Sequence, residues 1–554
     1  MALFAELRRR NVLKVALLYA VSAWLIIWFV EAIQSEVHLP AWTEAFVLFV
    51  LAIGFPVSLL FAWTYEFTPA GLKKAADVDQ TQSIVFKTGQ KLNAAVAVLL
   101  VLGVLAVFGQ RLLPKFEFLV PGVPEGEAPQ SAKAPAEIRS LTLKNGLRII
   151  VWPDHDIPNV VMYNFVRAGG RNEYPGITGL SHFFEHMMFL GTEKREPGEF
   201  DRTMEAAGGA NNAYTTPDVT VYLDWFPRSA LAIIFDLEAD RFQDLALVSD
   251  VVQSEREVVY SERRSSIDNN NFRKLAEQVQ ATAFVAHPYQ FTVLGWPSDI
   301  ESWTEEDLTS YYRTYYAPNN RTIVITGDVT PIEVFELAEE YFASTPAQDP
   351  PPAVRTIEPK QLGERRIVVE ALAQAPLLHL AFHGGSASDA EALPMSLLLN
   401  VLTDGGDSSR LHKLLVEEEG LALSVGAYQD ESFDPGLVYF YLTLPPGADP
   451  AAVEVRLLGE LQRLATNGVS EAELEKARNI MLADFWRGLA TINGKAAALG
   501  RFEVFHGDYE KLFALPDAVA AITGEDLRNV AAQVFQVNNM TVGVLRVPAT
   551  KDAP

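Results

Sequence analysis

Hydrophobic residues are distributed in two different ways along the chain. Over the first 115 positions they form long runs: 12–30, interrupted only by Lys14, then 45–63, containing Gly54 and Pro56, then 92–108. Runs of about 17–19 apolar residues match the hydrocarbon thickness of a bilayer and predict three transmembrane helices. Lys14 can snorkel from the end of its run, and Gly54 and Pro56 are tolerated where neighbouring helices take up the freed backbone groups. Trp28, Trp42 and Trp63 stand near run ends, where interfacial aromatics collect.

Beyond position 136 the runs give way to short segments of changing period. Ile138–Trp152 reads as two strands about a Lys144-Asn145-Gly146 turn, 159–168 and 219–225 as further strands, and 251–263 as a helix. Residues 121–135, rich in Pro, Ala, Gly and Glu, read as a tether, and the prolines of 345–361 break the pattern again. The expected organisation is a membrane anchor over 1–115, a linker over 116–136, an α/β half over 137–345, a linker over 346–361 and a second half over 362–550. The expected fold class is α+β.

Charge refines this picture. Arg8, Arg9, Arg10 and Lys14 open the first run, the 34–40 turn has no Lys or Arg, and Lys73, Lys74, Lys87 and Lys91 precede the third. By the positive-inside rule the N-terminus is cytoplasmic and everything after Leu113 lies outside. Net charge is −25, while residues 1–115 carry 10 basic and 7 acidic residues, so the excess of acid falls on the globular part. Such a surface repels phosphate and argues against nucleic acid. With no cysteines, thiolate nucleophiles and Cys-ligated zinc are excluded.

The chemistry concentrates at His182-Phe183-Phe184-Glu185-His186. On a helix His182 and His186 share one face and Glu185 lies at its rim. Two imidazoles can hold a zinc ion and a neighbouring carboxylate can activate its water, as in the H-x-x-E-H arrangement. Two further glutamates, Glu255 and Glu262, stand seven apart on the predicted helix and point the same way; a solvated acidic face would have the same spacing.

These residues resemble the pitrilysin/insulinase family of zinc peptidases, which includes the mitochondrial processing peptidase. Its third ligand is a glutamate about 75 residues beyond the H-x-x-E-H helix, preceded by another seven positions earlier; here Glu262 lies 76 residues after His186. The Gly208-Gly209 to Asn212-Ala213-x-Thr215 element, His287-Pro288-Tyr289 and Tyr316-Ala317-Pro318-Asn319-Asn320 match as well. The resemblance implies two homologous α/β-sandwich halves, one Zn2+ held by His182, His186 and Glu262, Glu185 as general base, and Glu255 supporting a ligand. It also implies that Asn212 and Ala213 bind the backbone of a peptide or unfolded-protein substrate. An Arg-x6-Tyr pair grips substrate carbonyls in active members; the matching positions here are Val416 and Leu423. A homologous partner chain carrying that pair is therefore expected, and the competing reading is a non-catalytic peptide-binding scaffold. The N-terminal segment resembles a membrane module found ahead of bacterial cyclase and tetratricopeptide-repeat signalling proteins. Membrane lipid, the bacterial inner membrane and a periplasmic peptidase region are the corresponding expectations.

Overall fold

The computed structural model describes residues 134–547, a two-stranded antiparallel ribbon (Tyr65–Thr68 with Gly71–Lys74), and isolated positions among residues 16–55. The expected spans 12–30, 45–63 and 92–108 lie almost wholly outside the described residues, as does most of the 116–136 linker. Among the described residues no helix is long and apolar enough to cross a membrane.

Residues 134–547 build two sheets. The first comprises β1 (Arg139–Thr142), β2 (Arg148–Pro153), β3 (Asn159–Val166), β4 (Ala210–Thr215), β5 (Thr220–Pro227) and β6 (Arg321–Gly327), in the order β1-β2-β6-β3-β5-β4. The second comprises β7 (Arg365–Glu370), β8 (Leu377–His383), β9 (Ser424–Gln429), β10 (Leu437–Thr443) and β11 (Met540–Arg546), in the order β9-β10-β8-β11-β7. In each, the first core strand runs parallel to the last and every other pairing is antiparallel. β6 is buried along its whole length, because helices cover both faces of the sheet.

The repeat extends to single side chains. Helix α4 (Glu305–Tyr315) opens on a Thr304/Asp307 capping box and helix α6 (Gly524–Val534) on the same box made by Thr523 and Asp526. Each helix then leads through a turn into the last strand of its sheet, and an asparagine pins that turn. Asn320 Nδ2 donates to the carbonyls of Arg167 and Tyr315 at 3.1 and 2.8 Å; Asn539 Nδ2 donates to those of His383 and Val534 at 2.8 and 3.0 Å.

The two halves are joined by exchanged helices. Helix α3 (Asn271–Ala283), from the first half, buries Leu275, Val279 and Ala283 against Leu377, Ala381, Tyr439 and Leu545 of the second sheet. Helix α5 (Ile492–His506), from the second half, packs Ala496 and Leu499 on Val161, Tyr163, Phe165 and Val324 of the first. Both contacts are close enough to require glycine. A Cβ on Gly500 would lie 1.9 Å from the Phe165 ring, and one on Gly543 of β11 would lie 2.2 Å from Val279. Gly500→Val is therefore expected to lower unfolding stability by about 1–3 kcal/mol, since interiors resist overpacking. A denaturation midpoint equal to that of the wild type would contradict this packing.

Candidate metal centre

The helix carrying the motif, α1 (Leu180–Met187), is placed by its apolar side. Leu180, Phe183, Phe184 and Met187 are buried among Trp303, Tyr311, Tyr316 and Tyr222, with Phe184 stacked on Tyr311 at 5.6 Å. At its N-terminus the buried Glu173 accepts from the backbone N–H groups of Gly179 and Ser181 and from Ser181 Oγ, each at 2.7 Å. These bonds satisfy donors that a helix start leaves free, and a carboxylate there complements the helix dipole. Burial still pushes the Glu173 carboxyl up, to about 7, against the pull of the Ser181 and Gly179 bonds.

The opposite face presents His182, Glu185 and His186. The imidazoles meet edge to face, 4.7 Å between centroids. Helix α2 (Ser249–Arg263) approaches them with Glu262, whose Oε2 lies 3.6 Å from His182 Nε2 and 3.4 Å from His186 Nε2. One ligand atom from each of the three residues lies within 4.8 Å of the others. Glu255, two turns earlier on α2, places Oε1 2.7 Å from His186 Nδ1 and so fixes that ring's tilt and directs Nε2 toward Glu262. Structure thus brings together His182, His186, Glu262, Glu255 and Glu185, and the donor set of two imidazole nitrogens and one carboxylate oxygen fits zinc.

The two imidazoles are tuned in opposite directions, and only the shift at His182 favours a metal, which needs the neutral ring. Burial, reinforced by the neighbouring His186, brings His182 down to about 3, so its imidazole is neutral; Nδ1 is buried without a hydrogen-bond partner. Burial acts against a charge on His186 too, but Glu255 and Glu262 outweigh it and raise its pKa. Burial raises the Glu185 pKa, opposed by the hydroxyl of Thr215, which donates to Oε2 at 2.6 Å. The Thr215 bond assigns that residue of the Asn212-Ala213-x-Thr215 element a part that spacing could not disclose.

From Ala210 onward that element is β4, an edge strand beside α1, and Gly208 and Gly209 form the turn that leads into it. Asn212 is exposed and accepts from the Ala213 N–H at 2.9 Å; Ala213 is half-buried. One side of β4 is paired with β5 and, among the described residues, no strand pairs with the other, the arrangement that accepts an added strand. Leu423, just ahead of β9, is exposed, and Val416 is half-buried. Neither side chain can donate a hydrogen bond.

A second polar cluster fastens the halves together. Tyr289 donates to Asp218 at 2.7 Å, Arg171 Nε donates to Asp434 at 2.5 Å, and His287 Nε2 lies 3.1 Å from the same Asp434 oxygen. Burial works against the Asp434 charge, but His287 and Arg171 outweigh it and bring the carboxyl down to about 2. A group whose pKa is depressed by folding stabilises above its ordinary value, and the contribution is lost as pH falls through the folded value. The stability difference between wild type and Asp434→Asn is therefore expected in full above about pH 5 and to shrink to nothing toward about pH 2. Denaturant midpoints across that range measure it, and a difference independent of pH would refute the assignment.

Comparison with known proteins agrees with this architecture. Residues 154–295 match the family model described as insulinase (peptidase family M16), and residues 302–481 match that described as peptidase M16 inactive domain. The second match falls mostly on the half without an H-x-x-E-H helix. The chain is 29% identical over 413 residues to the zinc protease PqqE of Helicobacter pylori, covering 74% of this chain and 92% of the relative. It is 27% identical over 402 residues to the mitochondrial-processing peptidase subunit beta of Lentinula edodes, covering 70% and 86%. The crystal structure of a protease from Helicobacter pylori superposes with a TM-score of 0.72 at 28% identity, over 75% of this chain and all of that one. A peptidase M16 inactive domain from Pseudomonas fluorescens, 16% identical with a TM-score of 0.69, shares the fold. Fold and matches point to the M16 class, which has zinc proteases among its members. The chain belongs to the M16 (insulinase/pitrilysin) family.

Proposed function

We propose that this chain is the zinc-holding subunit of a membrane-anchored metalloendopeptidase that hydrolyses peptides or unfolded protein segments. The observation that carries the reading is the convergence of His182 Nε2 and His186 Nε2 on Glu262 Oε2 with Glu185 alongside. His182, His186 and Glu262 would hold the ion with three protein ligands, the number that distinguishes catalytic from structural zinc sites. When bound there, zinc supplies Lewis acidity toward the scissile carbonyl and its water.

The rest belongs to the chain's own residues. A peptide adds to the free edge of β4, with Asn212 and Ala213 as backbone contacts, and this pairing selects extended, unfolded segments. Glu185 takes the proton of the attacking water and returns it to the leaving amine, while Thr215 holds Oε2 and leaves Oε1 to carry that proton. Glu255 keeps His186 in one tautomer by accepting from Nδ1. Runs 12–30, 45–63 and 92–108 anchor the chain in the bacterial inner membrane, with the peptidase halves on the periplasmic side.

Val416 and Leu423 leave the carbonyl grip to a homologous partner chain carrying Arg and Tyr. The same two residues also suit a subunit that only binds peptides. Zinc-dependent cleavage of an unstructured peptide by the purified full-length chain, alone and with such a partner added, separates the readings. A chain that holds no zinc, or cleaves with neither composition, is not a peptidase.

A further inference from the structure

The third zinc ligand is the penultimate residue of α2, and the residue that ends the helix is a buried arginine. Arg263 is 3% exposed. Its Nη1 donates to Glu277 Oε1 at 2.8 Å and its Nη2 to Glu277 Oε2 at 3.0 Å, a two-pronged pairing that fixes the guanidinium plane. Nη1 also donates to the carbonyl of Gly295 at 2.6 Å. Backbone after Arg263 widens into a single π-type turn over Arg264–Asp268, a local geometry that collects at functional sites.

What Gly295 touches gives the pairing its meaning. A Cβ at Gly295 would lie 2.3 Å from the Thr178 carbonyl oxygen and 2.6 Å from Gly179 N. Gly179 is the residue from which α1 starts, in a left-handed conformation at φ +91°, and a Cβ there would meet the Leu294 carbonyl oxygen at 2.8 Å. Leu294–Gly295 is thus wedged, backbone to backbone, against the start of the helix that carries both histidines. The hydroxyl of Thr178 accepts from Trp296 N at 2.9 Å and closes the contact from the other side. Arg256 secures the middle of α2, donating to the carbonyls of Ile300 and Trp303, each at 2.8 Å. The end beside Glu262 is secured by Arg263.

Glu277 lies on α3, which packs on the second sheet. A rigid chain of contacts therefore runs from the second half through Glu277 and Arg263 to Gly295 and the first turn of α1. The geometry points to Arg263 as a positioning residue that sets the separation of Glu262 from His182 and His186, and to Glu277 as its counterpart that ties that separation to the docking of the second half. This inference rests on the zinc site proposed above. Arg263 makes no contact with the ion or substrate in that arrangement; it acts through the backbone at both ends of the ligand set.

A buried pair also stabilises a fold, so the test must separate stability from position. Replacing both members by apolar residues of similar length commonly preserves stability, whereas removing one strands a buried charge. The double variant Arg263→Met/Glu277→Met in the full-length chain is expected to unfold close to the wild-type denaturant midpoint. It leaves the Gly295 carbonyl without its donor, and Zn2+ affinity, measured by competition with a chromophoric chelator, is expected to fall about 10- to 100-fold. Visible absorption of the Co2+-loaded chain reports altered ligand geometry independently of turnover. The single variant Glu277→Gln, which keeps one acceptor for the guanidinium, is expected to lose less affinity than the double variant. Wild-type Zn2+ affinity and an unchanged Co2+ spectrum in the double variant would overturn the inference while leaving the zinc site standing. A wild-type chain without Zn2+ affinity would overturn the zinc site itself. Should the double variant fail to fold, Glu277→Gln with wild-type affinity and spectrum would count against the inference equally.

Discussion

Glu185→Gln is expected to retain stoichiometric zinc and to cleave peptide about 10^2- to 10^4-fold more slowly than wild type, the usual contribution of a positioned general base. At 1.36 kcal/mol per tenfold, that raises the barrier by about 3–5 kcal/mol. Three features make the substitution a clean one. Glu185 is not among the three residues whose ligand atoms cluster. Gln has the same length and can still accept from Thr215 Oγ1, so the bond at 2.6 Å can survive. Burial already raises the Glu185 pKa, which makes the carboxylate a stronger proton acceptor than a solvated glutamate. Turnover of a fluorogenic peptide and metal analysis of the same preparation check both halves of the prediction. Wild-type turnover would end the general-base role, and loss of zinc would make Glu185 a ligand.

Adding a homologous chain that carries the Arg/Tyr pair is expected to raise kcat by about 10^2- to 10^3-fold over this chain alone, the effect of supplying oxyanion donors in a water-excluded site. The physical ground is a deficit: Val416 and Leu423 offer no side-chain donor where the pair would stand, and Leu423 is exposed rather than folded into a core. A preorganised donor is worth most where charge develops in the transition state, so its absence lowers turnover more than substrate binding. The expected pattern is a large change in kcat with a small one in KM, accompanied by a mixed dimer on size-exclusion chromatography. A monomer that turns over as fast alone as with the partner would remove the need for a second chain.

Local periodicity made much of this protein legible. The His182, Glu185 and His186 face follows from helical geometry, and the β1–β2 turn and the strands β3 and β5 lie where alternation puts them. The element around Asn212 was harder to read, because Gly, Asn and Ala have low strand preference; β4 exists because β5 pairs with it. Thr215 belongs to the matching motif, yet its bond to Glu185 depends on how α1 crosses the sheet edge. The capping boxes at Thr304 and Thr523 are a sequence-level signal of the internal repeat, since the same Thr-x-x-Asp pattern opens both helices.

By itself the sequence determined which groups can bind metal, because residue identity and i, i+4 spacing need no tertiary information; that Val416 and Leu423 stand where a carbonyl-gripping pair would be is what the family resemblance implies. The sequence also carried the resemblance that marked Glu262, 76 residues beyond His186. Only the tertiary structure decided that Glu262 Oε2 comes within 3.4–3.6 Å of both imidazoles, that Glu255 orients His186, and that Arg263, Glu277 and Gly295 frame the approach. Contacts between helices distant in the chain are set by how their buried faces pack, and that is a property of the whole core rather than of any one segment.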